Sequence, residues 1–97
     1  MAEYNALQIP PNARDKGGIE VLRAAVIDGG LHVTLRRAFD DPQAWGVLLA
    51  DVARQVSRVY VQQGDHNEDD VIAAIRKAFD TEMDAPANPG SIARAIG

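Results

Sequence analysis

Two short runs of alternating apolar and polar residues are followed by two long stretches in which apolar residues recur every three or four positions. The first run lies in EVLRAAVI and the second in LHVTLRR, with Asp28-Gly29-Gly30 between them. Alternation over so few residues predicts half-buried strands, and the glycines can supply the positive φ of a hairpin turn. Register follows from which side chains share a face, because a one-residue slip reverses all of them. A three-residue loop would set Leu31, Val33 and Leu35 on the face of Arg23, Ala25 and Ile27, mixing charge into the apolar side. An even loop groups Leu22, Ala24 and Val26 with Leu31, Val33 and Leu35, leaving Arg23, His32, Thr34 and Arg36 opposite. A two-residue loop would face Arg23 with Arg36, a like-charge pair; a four-residue loop faces Arg23 with Thr34 and Glu20 with Arg37. The four-residue loop is therefore expected.

The stretch FDDPQAWGVLLADVAR, residues 39–54, opens the first helix. Asp41 suits an N-cap, because its carboxylate can accept from free backbone N–H groups, and Pro42 at the first helical position gives up a donor that had no partner. Asp40 adds negative charge at the positive end of the helix dipole. Beyond them Trp45, Leu48, Leu49, Val52, Val56, Val59 and Tyr60 form one apolar stripe, which predicts an amphipathic helix over residues 42–63 stopped by Gly64. Trp45 is expected to anchor this helix to the hairpin. A second helix starts at Asn67, with Glu68, Asp69 and Asp70 in its first turn and Val71, Ile72, Ile75, Ala78, Phe79 and Met83 on its apolar side.

The ends read differently. Residues 1–18 hold Pro10-Pro11 and Gly17-Gly18 and predict an irregular lead-in, in which residues 5–9 could cover a sheet edge. Residues 85–97 form a tail with Pro86 and Pro89, where Ser91 could cap one last turn bearing Ile92 and Ile96. Residues 19–84 are left as a single α+β domain of order β-β-α-α, with the helices packed on one sheet face. A lone hairpin covered on one face leaves its other face and both edges open, so a homodimer joined through the sheet edge is expected.

Composition narrows the function. Ten Lys and Arg against fourteen Asp and Glu leave a net charge of −4, which disfavours nucleic-acid binding by bulk phosphate neutralisation. No cysteine is present, so disulfides, thiolate catalysis and cysteine zinc sites are excluded. The N-terminus lacks a signal-like basic and apolar pattern, and no run of about eighteen apolar residues occurs. A cytoplasmic protein without membrane attachment is expected.

Candidate chemistry is sparse. Asp65-x-Asn67-x-Asp69 matches the start of a calcium loop, but the sixth position is Asp70 in place of glycine and the twelfth is Arg76 in place of glutamate. An interhelical turn explains these residues better. His32 and His66 share no ligand spacing, so no metal site is expected. Ser57 and Ser91 lack a nucleophile elbow and an evident base, and the glycine pairs lack phosphate-loop spacing. Asp40 and Asp41 fit a helix start better than acid–base catalysis. No catalytic or cofactor-binding residue is assigned. Arg23, Arg36 and Arg37 form the one candidate partner-binding patch, on the outer hairpin face.

Through LHVTLRRAFDDPQAWGVLLADVAR, residues 31–54, the chain resembles a family of small bacterial proteins known as domain of unknown function family 5076. The likeness lies in the hairpin strand, Asp41-Pro42, Ala44-Trp45-Gly46, Leu48-Leu49 and Asp51, and extends loosely to Phe79. It implies a small bacterial domain of this architecture and assigns no functional residue. The expected function is a non-enzymatic interaction or regulatory module that is homodimeric and binds a protein partner. The alternative is a binding domain for an acidic small ligand or nucleic acid through the arginine-bearing face, and a third reading is a very small enzyme using Asp40, Asp41 or His66.

Overall fold

In a computed structural model, which describes residues 2–85, the chain folds as α1 (Ala13–Lys16), β1 (Leu22–Ile27), β2 (Gly30–Leu35), α2 (Gln43–Gln62) and α3 (Glu68–Asp84). This is the α+β order β-β-α-α, preceded by one short helical turn within the segment whose proline and glycine pairs predict an irregular lead-in. In that turn the Ala13 N–H donates to the Pro10 carbonyl at 3.0 Å, and Gly17, at φ 71°, ends it. The expected last turn at Ser91, with Ile92 and Ile96, lies outside the described residues.

β1 and β2 pair antiparallel in the register that sets Arg23 opposite Thr34, as the like-charge criterion required. The loop is shorter than expected. Ile27 pairs with Gly30, so only Asp28 and Gly29 turn the chain, both at positive φ (52° and 76°). Two residues of that conformation make the hairpin turn whose twist matches the strands, and this favours closing the ladder by one more pair. Glu20 does not reach Arg37; its carboxylate takes the guanidinium of Arg23, three residues along, at 3.0 Å.

Both helices begin on the expected caps. The Asp41 carboxylate accepts from the Gln43 N–H at 2.9 Å, and Pro42 already has helical φ and ψ (−57°, −23°). The Asn67 side chain accepts from the Asp70 N–H at 3.0 Å. Gly64, at φ 116°, lets its N–H return to the Tyr60 and Val61 carbonyls and stops α2. Asp41→Ala is expected to cost about 1 kcal/mol; an unchanged urea midpoint would show that the cap contributes nothing to stability.

α2 and α3 pack against each other, and the most enclosed side chains are Ser57, with no exposed surface, and Val71, 8% exposed. Ser57 is small, and its hydroxyl donates to the Arg54 carbonyl at 2.7 Å, so it can be buried without an orphaned polar atom.

The helices are not packed on one sheet face. The strands contact each other, the helices contact each other, and between the two pairs contact is marginal. The aromatic contact of Trp45 is local, to Phe39 in the connection between β2 and α2. Its ring meets Phe39 edge-on, with centroids 5.3 Å apart and planes at 75°, an arrangement close to a hydrophobic staple at the helix start. The physical reason is width. Two strands at about 4.8 Å each make a strip about 10 Å wide, the diameter of one helix, so the hairpin cannot seat two helices side by side.

Candidate functional site

Alternation along β1 places Arg23 on the face opposite Leu22, Ala24 and Val26, and the ladder sets it across from Thr34. Its guanidinium is engaged by Glu20, with Nε donating to Oε1 at 3.0 Å and Nη2 to Oε2 at 3.2 Å. The Glu20 hydrogen bond, with Tyr4 adding to it, raises the Arg23 pKa above its ordinary value. Both partners are about half exposed, so the pair orients the arginine more than it stabilises the fold. Arg36 extends the ladder by one step, its N–H donating to the Val21 carbonyl at 3.2 Å, and Arg37 lies past the strand in the connection to α2. Arg36 and Arg37 are exposed.

The candidate acid–base and metal-binding side chains lie on the solvated surface. Asp40, Asp41 and His66 are all exposed, and Asp41 is used as the cap. The His66 ring lies edge-on to Tyr60 with centroids 5.2 Å apart, and Asn67 spends its side chain on the helix start. Among the described residues no group of three or more His, Asp or Glu is placed to hold a metal ion. No described helix is long and apolar enough to cross a membrane.

What the fold brings together is apolar surface. On the hairpin, Val26, Val33 and Leu35 are exposed, Leu35 by 60%. On α2 the exposed stripe includes Leu49, Val52, Val56, Val59 and Tyr60, and on α3 Phe79 and Met83. Periodicity had marked these positions as core; the structure leaves them open.

The second feature is a cleft of about 620 Å³ between the N-terminal segment and β1, lined by Tyr4, Leu7 and Ile9 on one side and by residues 22–27 on the other. Residues 5–9 face β1 across this cleft, but Leu7 stays 96% exposed and Ile9 61%, and no backbone hydrogen bond joins them to the strand among the described residues. Another groove of about 570 Å³ runs along α3 past Asp69, Ile72, Arg76 and Asp80. Neither hollow is lined by Asp40, Asp41 or His66.

These features define a small α+β unit whose strands and helices present unsatisfied apolar faces. The family model of the domain of unknown function DUF5076 matches residues 6–87, and the chain belongs to that family. A search of curated proteins finds no match. Among solved structures, the chain is similar to one described as "a putative pyruvate dehydrogenase from the photosynthetic bacterium Rhodopseudomonas palustrus CGA009", with 37% identity over 94% of this chain and 95% of that chain and a TM-score of 0.75. The family likeness reaches beyond residues 31–54 into both the lead-in and α3.

Proposed function

We propose that this domain is a non-enzymatic interaction or regulatory module that acts in the cytoplasm as a homodimer. The observation that carries the reading is the apolar surface left open on the hairpin, α2 and α3, where Val33, Leu35, Val52, Val59, Phe79 and Met83 are each at least 45% exposed. Surface of that extent in a chain of net charge −4 calls for a partner, and a second copy is always at hand. The arginine reading is weaker, because Glu20 already engages Arg23 and leaves Arg36 and Arg37 as the contacts for an acidic ligand. The description of the Rhodopseudomonas structure raises an enzymatic alternative, against which stands the solvated placement of Asp40, Asp41 and His66.

Light scattering on the purified protein should give twice the 10.5 kDa chain mass at micromolar concentration, insensitive to salt. A monomer at all accessible concentrations would reject the dimer. Pyruvate consumption by the same sample would reject the non-enzymatic reading.

A further inference from the structure

Resting on the homodimer reading, we infer that the second copy joins along the open edge of β2, antiparallel and centred on Val33, to make a continuous four-stranded sheet. The backbone shows which groups are free. Because the Arg36 N–H bonds the Val21 carbonyl, the pairs Arg23–Thr34, Ala25–His32 and Ile27–Gly30 turn their polar groups inward, and the alternate residues turn theirs outward. Leu22, Ala24 and Val26 therefore present N–H and C=O groups at the β1 edge, and Leu31, Val33 and Leu35 at the β2 edge. None of these outward groups has a backbone partner among the described residues.

The two edges differ in access and in charge. The N-terminal segment stands over β1, with Tyr4 beside Arg23, whereas no β2 residue lines that cleft. Self-pairing of β1 about Ala24 would carry Glu20 opposite the partner's Asp28, a like-charge contact. Self-pairing of β2 about Val33 sets Leu31 against the partner's Leu35 and Val33 against its own copy. On the other face it sets His32 against the partner's Thr34 and Gly30 against the partner's Arg36. No like charges meet, and outward groups face outward groups at Leu31, Val33 and Leu35.

The product also meets the width requirement that one hairpin fails. Leu22, Ala24, Val26, Leu31, Val33 and Leu35 of both copies fall on one face of a sheet about 19 Å wide, enough to seat two helices of about 10 Å diameter. One α2 from each chain can then lay its exposed stripe there.

Proline separates the edges, because it removes one N–H. Val33→Pro deletes only an outward donor of β2 and Ala24→Pro only an outward donor of β1, so neither breaks a bond within the hairpin. Analytical ultracentrifugation should show the Val33→Pro dimer weakened about a hundredfold through two lost sheet bonds, and the Ala24→Pro dimer unchanged. Dissociation by Ala24→Pro alone would assign the β1 edge and overturn the inference, as would two variants that both stay dimeric. A wild type that is monomeric throughout would instead fail the homodimer reading itself. Should Val33→Pro not fold, amide exchange on the wild type decides: protection of the Leu31, Val33 and Leu35 amides supports the β2 seam, and protection of Leu22, Ala24 and Val26 in their place overturns it.

Discussion

A hundredfold rise in protein concentration is expected to raise the melting temperature by roughly 5–10 °C. For a dimer that unfolds to two chains, a hundredfold change in concentration shifts the balance by about 2.7 kcal/mol per dimer, or half of that per chain. In a domain of this length each kcal/mol moves the midpoint by about 4–8 °C. The structural ground is the near absence of enclosed side chains within one copy, where Ser57 and Val71 alone among the described residues are buried. Stability must then come largely from faces that close only on association. Scanning calorimetry across that range checks it, and a midpoint independent of concentration would show that one chain is stable alone.

Trp45→Ala is expected to cost about 3 kcal/mol, and Trp45→Phe less than about 1 kcal/mol. The indole is half-buried and meets Phe39 edge-on just ahead of α2, so its contribution is ring area plus one aromatic pair. Phenylalanine keeps both. Urea unfolding at fixed protein concentration measures each variant. Equal losses in the two would show that the indole N–H, and not the ring, is what the fold needs.

The two predictions draw on different ranges of information. Trp45 meets a residue six positions away, and the caps Asp41 and Asn67 act on N–H groups two and three residues on. Such contacts are legible in a sequence because the chain itself brings the partners together. The hairpin register was legible for a similar reason: strands joined by a tight turn have few alignments, and charge at Arg23 and Arg36 selects among them. Loop length is less legible, because the turn needs positive φ at Asp28, a conformation that aspartate tolerates but does not signal as glycine does. The candidate arginine patch was half legible. Periodicity put Arg23 and Arg36 on one face, but Glu20 lies three residues from Arg23, off the strand ladder, where alternation does not look.

Sequence alone determined the two strands and two long helices and their order, the apolar side of each, the helix caps and the strand register, since all of these depend on neighbours in the chain or across one turn. Tertiary structure decided that α2 and α3 close on each other over Ser57, that the N-terminal segment stands over β1, and that the hairpin's apolar side stays open. The physical reason is that periodicity says which face must leave water but carries no information about what covers it. Here the covering depends on the width of a two-stranded sheet, which no single residue encodes.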